Sequence, residues 1–179
     1  MKEFKIREVR PSDTEDMEET TRKSWIQGQK AFLTDEELGL ASGSEEFRKT
    51  EQDIESRLEK DDTFVLVAEV DGKVVGRIRM AWAGEADSFV NPGEAQLRSM
   101  YVHPDHWRKG IGTALVEKAF ERVPSRFHAF VVEVFEDNES AFGFYRDLGY
   151  YFVEESTLGP EDISILTEDR KTLIMRKDR

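Results

Sequence analysis

The stretch with the most chemistry written into it runs from Gln96 to Leu115, QLRSMYVHPDHWRKGIGTAL. Leu97 to Val102 reads as a strand and His103-Pro104-Asp105 as a turn. Arg108-Lys109-Gly110-Ile111-Gly112-Thr113 then opens an apolar-periodic helix at Ala114. Glycines admit backbone angles closed to other residues and let a ligand approach the main chain. The first amides of a helix have no intrahelical acceptor, and the helix dipole favours negative charge there, so phosphate is the natural guest. Arg108 and Lys109 add mobile positive charge beside it. Two other glycine loops are excluded. A P-loop needs Lys-Ser or Lys-Thr after its last glycine, where Thr113-Ala114 stands. A dinucleotide loop needs a third glycine, where Leu115 stands, and starts at the strand end without the polar segment seen here.

Two more places carry reactive groups. Asn138 to Tyr150, NESAFGFYRDLGY, holds an asparagine suited to cap a helix and a phenol, Tyr145, on that helix's apolar face. A phenol can donate a proton at neutral pH. Glu133 stands among Val131, Val132 and Val134, where a carboxylate must face a cleft or solvent, or be paired. His103, His106 and His128 lack further clustered ligands and the chain has no cysteine, so no metal site is expected. Trp25, Phe32 and Trp82 are candidates for a pocket wall or for aromatic core.

The composition narrows the class. The chain has 179 residues, read as one domain over 1–179, with 38% hydrophobic and 36% charged residues. A net charge of −12 disfavours nonspecific binding to nucleic acid or to an anionic membrane. No apolar run approaches the roughly twenty residues of a membrane span, and the start MKEFKIREVR is too charged for a signal peptide. A cytoplasmic location is the expectation, and without cysteine there is neither disulfide nor thiolate nucleophile.

The elements that must position these groups follow from periodicity. Phe4 to Val9 alternates as a first strand, and Ser12 or Asp13 can cap a helix whose face includes Met17, Thr21, Ser24 and Trp25. Gly28 to Ser44 reads as irregular, and a second helix is expected from Ser44 or Glu45 to about Glu59. Phe64 to Val70 and Lys73 to Trp82 form a hairpin about Asp71-Gly72, with Gly76 marking a bulge. After the polar loop Gly84 to Gly93 come the central strand and the anion-binding helix, which presents Leu115, Val116, Ala119, Phe120 and Val123 and ends at Pro124. His128 to Phe135 is a strand covered on both faces, parallel to the central one because a helix crosses between them. A helix from Asp137-Asn138 ends at Gly149, Tyr150 to Glu154 and Lys171 to Lys177 are strands, and Ser156 to Asp169 is a loop.

The glycine loop resembles the pyrophosphate loop of the GCN5-related N-acetyltransferases, in which Gln or Arg, two residues, Gly, one residue, then Gly or Ala recur. Gly110 and Gly112 match, while Trp107 occupies the Gln/Arg position and Arg108 follows one step on. The segment from Asn138 resembles the family's second motif of Asn, Ala, an aromatic-Tyr pair and Gly-Tyr. The resemblance runs from the first strand to about Gly149 and is thinnest from Trp25 to Glu59.

That resemblance implies a mixed α/β fold: a mostly antiparallel sheet of about six to seven strands, a parallel, splayed central pair, and helices on both faces. It implies acetyl-coenzyme A as cosubstrate and no metal. Residues Trp107 to Thr113 would cradle the pyrophosphate, the main chain of Met100, Tyr101 and Val102 would meet the pantetheine arm, and Asn138 would touch the coenzyme, cap its helix, or both. Tyr145 would protonate the leaving thiolate. Glu94, by its position before the central strand, and Glu133 are the candidate bases, with ordered water as a third route. The expected reaction is direct transfer to a primary amine, small molecule or peptide, in a ternary complex, since no cysteine can carry the acetyl group. The competing readings are a coenzyme A-binding sensor without catalysis and another phosphate-ligand protein. Monomer and homodimer both remain open.

Overall fold

The computed structural model describes residues 3–179; Met1 and Lys2 of the charged start lie outside the described residues. In chain order the elements are β1 (Lys5–Glu8), α1 (Thr14–Gln29), α2 (Asp35–Gly43), α3 (Glu51–Leu58), β2 (Thr63–Val70), β3 (Lys73–Ala81) and β4 (Glu94–Val102). Then follow α4 (Ile111–Arg122), β5 (Ala129–Phe135), α5 (Glu139–Asp147), β6 (Tyr151–Leu158) and β7 (Arg170–Asp178). The strands form one seven-stranded sheet in the order β1-β2-β3-β4-β5-β7-β6, antiparallel throughout except for the β4–β5 pair. This is the mixed, mostly antiparallel architecture expected above.

Alternation along the strands sends two sets of side chains to opposite faces. One face carries Leu66, Ile78, Met80, Leu97, Phe130 and Val132 beneath α4 and α5, which bring Ile111, Leu115, Val116, Ala119 and Tyr145 into the largest apolar cluster. Phe120 stacks on Phe130 with ring centroids 3.7 Å apart. The other face carries Val65, Val67 and Val74 against Met17 of α1 and Ile54 of α3. A third cluster joins Trp25, Leu33 and Ala41 to Ile165 and Leu166 of the β6–β7 connection. The hairpin at Asp71-Gly72 has both central residues at positive φ, 52° and 81°, the turn whose twist matches the strands. Near its other landmark, Ala68 pairs with Gly76 and Glu69 with Val74, so the bulge adds Val75 beside Gly76.

Four expectations are corrected. Gly28 to Ser44 is not irregular: α1 runs on to Gln29, and α2 starts at a capping box in which Thr34 Oγ1 accepts from Glu37 N and Glu37 Oε2 accepts from Thr34 N. The next helix begins at Glu51 rather than Ser44 or Glu45, set by the equivalent box between Thr50 and Asp53. Strand β4 begins at Glu94, three residues before Leu97, and β6 extends to Leu158 because it pairs along β7 as far as Arg170.

Candidate active site

The site begins where β4 and β5 part. Their parallel ladder has three rungs, Glu94 to Ala129, Ala95 to Phe130 and Gln96 to Val131. From Leu97 and Val132 onward the two strands diverge, and a cavity of about 990 Å³ opens between them. On its far side β4 stays paired with β3, but Arg79 faces Ser99 while Met80 faces Leu97, so Arg98 is an extra residue in a bulge. A bulge bends its strand and re-aims the side chain at the kink. Here the bend turns β4 away from β5 and sends Arg98 to the cavity wall.

One end of the cavity is the glycine loop. Gly110 holds φ at +79° as the cap of α4, and Arg108 is also left-handed at +59°. The backbone N–H groups from Arg108 to Thr113 have no hydrogen-bond partner among the described residues; the first intrahelical bond there is Ala114 N to Gly110 O at 3.0 Å. Six successive free amides beside a helix N-terminus suit an anion. A Cβ on Gly112 would sit 3.4 Å from the Phe144 ring, so glycine lets α4 and α5 meet at the cavity edge. Trp107 turns its indole N–H onto Val102 O at 2.5 Å, fixing the loop to the end of β4. Trp107, Arg108, Gly110, Ile111, Gly112 and Thr113 all line the cavity. Lys109 does not: its Nζ donates to Asp105 O at 2.6 Å.

The middle of the cavity is lined by Met100, Tyr101 and Val102 of β4 and by Asn138 and Tyr145 of α5. Asn138 Oδ1 accepts from Ala141 N at 3.0 Å, which caps α5, and its Nδ2 donates to Gln29 Oε1 at 3.4 Å. Tyr145 is 5% exposed and packs edge-on to Phe144 and Tyr150, yet its hydroxyl has no hydrogen-bond partner among the described residues. Burial, and after it the Tyr101 phenol, pushes the Tyr145 phenol well above its ordinary range. It therefore keeps its proton at any working pH and is a donor rather than a base.

The two carboxylates part company. Glu133 faces the cavity, and its Oε1 accepts from Thr172 Oγ1 at 2.5 Å, with no ion pair among the described residues. Glu94 is 3% exposed and lies off the cavity. Its Oε1 is 2.6 Å from Arg176 Nη1, and its Oε2 accepts from Asn91 N and Nδ2 at 3.0 and 3.1 Å. Glu94, one of the two carboxylates expected as base, stands in the paired part of β4, before the split, and ties a turn to β7. Trp25 does line the cavity, whereas Trp82 is core and Phe32 packs on Phe135. Among the described residues no group of three or more His, Asp or Glu could hold a metal ion.

Sequence reasoning missed Arg79, Gln96 and Arg98, and the wall formed by Ser156, Thr157 and Leu158 of β6. Nothing in the local sequence marks Arg98, because a bulge is a property of the register with β3. Helix α2, missed in the same way, had a signal, the Thr34-x-x-Glu37 pattern of a capping box.

Residues 18–150 match the Acetyltransferase (GNAT) family. The chain belongs to that family. It is 34% identical over 122 residues to an acetyltransferase of Pectobacterium atrosepticum, covering 68% of this chain and 78% of that one. An acetyltransferase of Yersinia pestis is 32% identical over 110 residues, covering 61% and 72%. Among solved structures, the PaiA N-acetyltransferase of Thermoplasma acidophilum, in complex with coenzyme A, superposes with a TM-score of 0.75 at 19% identity, covering 99% of both chains. The ribosomal-protein-S18-alanine N-acetyltransferase of Escherichia coli gives 0.64 at 18% identity, covering 98% and 94%. These two likenesses are of fold. In this GNAT acetyltransferase the glycine loop, Tyr145 and Glu133 all line the cavity that opens where β4 and β5 part. Among the described residues no helix is long and apolar enough to cross a membrane.

Proposed function

We propose that this GNAT acetyltransferase moves the acetyl group of acetyl-coenzyme A to a primary amine, directly, with both substrates bound at once. The observation that carries the reading is one continuous cavity with free amides at its glycine-loop end and a buried, unpartnered phenol and a cavity-facing carboxylate farther in. Acetyl-coenzyme A supplies an activated thioester when bound. The six free amides from Arg108 to Thr113, with the Arg108 guanidinium, suit its pyrophosphate. The side of β4 turned toward β5 has no ladder partner from Leu97 to Val102, which leaves main-chain groups for an extended amide-bearing arm.

In the transfer, the amine nitrogen forms a bond to the acetyl carbon and the carbon–sulfur bond breaks. Tyr145 gives its proton to the departing sulfur, and bulk water restores it. Glu133 accepts the proton that the nitrogen loses, directly or through water. The chain has no cysteine, so a cysteine-bound acetyl group is not a route. The acceptor approaches from the α1 side of the sheet, where Glu133 and Arg98 lie.

The test is calorimetric titration with acetyl-coenzyme A followed by thiol release across a panel of amines. Binding with amine-dependent thiol release is the expected result. Binding without release for any amine would favour a coenzyme sensor, and absence of binding would overturn the reading.

A further inference from the structure

We infer that the acceptor is an amine that also carries a carboxylate, with its nitrogen at Glu133 and its carboxylate on Arg98 and Arg79. This deepens the acetyl-transfer reading and rests on it. A chain of net charge −12 would by itself draw polycations. The acceptor side of the sheet runs against that overall charge.

Four guanidinium groups gather there. Arg77 and Arg79 come from β3, Arg98 from the β4 bulge and Arg57 from α3. With Lys60 they make five cations. Their nearby carboxylates are shared: Glu85 contacts both Lys60 and Arg79, the latter at 2.6 Å. Asp87 contacts Arg98 and also accepts from Gln96 Nε2 at 2.7 Å. Arg77 has no ion pair among the described residues; its Nε donates to Thr21 Oγ1 at 2.8 Å and its guanidinium lies 5.1 Å from the Tyr101 ring centroid. Arg57 Nη1 is buried with no hydrogen-bond partner among the described residues. Burial and mutual repulsion lower the proton affinity of Arg79, the mark of guanidinium groups crowded together without enough counter-charge.

Of the four, Arg79 and Arg98 line the cavity. Arg79 spends Nε on Thr63 and Nη2 on Glu85, and Arg98 spends Nη1 on Asp87. That leaves Arg79 Nη1 and Arg98 Nε and Nη2 without a partner among the described residues. A guanidinium fork with open donors is the natural partner of a carboxylate. The other carboxylate on this side, Asp162, already accepts from Gly159 N at 2.9 Å. Glu133, whose field reaches Arg98, is hydrogen-bonded among the described residues only by Thr172 and is the one left to meet an ammonium group. One wall thus offers free donors and the adjoining strand a free acceptor, the complement of a zwitterion.

The experiment uses the intact chain and matched pairs: alanine with ethylamine, lysine with cadaverine, phenylalanine with phenethylamine. Thiol release is followed at saturating acetyl-coenzyme A, with coenzyme binding measured in parallel by calorimetry. The acid of at least one pair should exceed its decarboxylated partner by at least tenfold in kcat/KM, the size of one or two charged hydrogen bonds. Arg98→Gln should bring that ratio close to one, chiefly through KM, and Arg98→Lys should restore part of it. Equal or better use of the decarboxylated amines by the unaltered chain would overturn the inference and leave acetyl transfer standing. A ratio that Arg98→Gln does not change would overturn the role of Arg98. Failure to bind acetyl-coenzyme A would overturn both readings.

Discussion

The Glu37 carboxylate, fully buried in α2, lies 2.7 Å from the Arg170 guanidinium at the start of β7. Its other oxygen accepts from Thr167 N and Oγ1 at 3.0 and 3.2 Å. One residue therefore caps its own helix through Thr34 and pins the β6–β7 connection to that helix. That connection brings Asp162 and Ile163 to the cavity wall. Removing one partner of such a buried pair leaves an uncompensated charge. Glu37→Ala should cost about 3–5 kcal/mol in urea unfolding, and a loss below about 1 kcal/mol would show the clamp to be incidental.

The same group sets an acid limit. Burial alone would raise the Glu37 pKa, but hydrogen bonds from Thr167, Thr34 and Arg170 win and hold it at about 2. A carboxylate with a depressed folded pKa adds stability above its unfolded value of 4.5, and that stability is lost as pH falls toward 2. The difference corresponds to roughly 3 kcal/mol. Stability measured from pH 6 down to pH 2 should fall less steeply in Glu37→Gln than in the unaltered chain.

Tyr145→Phe removes the proposed donor and leaves the ring packing on Phe144 and Tyr150 in place. Turnover should fall about a hundredfold, the low end for general acid catalysis because a thiolate is a good leaving group. Coenzyme affinity should stay within about twofold. Unchanged turnover would remove the assignment.

Glu133 and Glu94 should separate cleanly. Glu133→Gln should lower kcat and alter the pH–rate profile. Glu94→Gln should instead destabilise the fold by roughly 3 kcal/mol, since it breaks the buried contact with Arg176. A pH–rate profile changed by Glu94→Gln and untouched by Glu133→Gln would reverse the two roles.

Gly110→Val places a β-branched residue at φ +79°. The strain is about 1–2 kcal/mol or more and falls on the loop that would cradle the pyrophosphate. Coenzyme affinity should drop at least tenfold by calorimetry, and an unaltered affinity would remove the loop from the binding site.

Much of this is legible in the sequence. The glycine loop and the Asn138-to-Tyr150 segment are local patterns, because a helix start and a helix cap are written in a few adjacent residues. The hairpin at Asp71-Gly72 and the apolar faces of α4 and α5 are local for the same reason. Helix α2 was also legible in principle, through its Thr34–Glu37 box, and was hidden by weak apolar periodicity.

What the sequence by itself determined, then, is most of the elements, their likeness to the acetyltransferases, and most of the groups able to do chemistry. What only the tertiary structure decided is which of those groups share a cavity. Glu94 and Glu133 are both acids on central strands. One lies in the paired part of the β4–β5 ladder and is claimed by Arg176, while the other lies past the last rung and faces open space. Arg98 gained its place from a register shift against β3, and Glu37 from a contact with Arg170, 133 residues away. Register and long-range pairing depend on the whole sheet being assembled, so no window of neighbouring residues contains them.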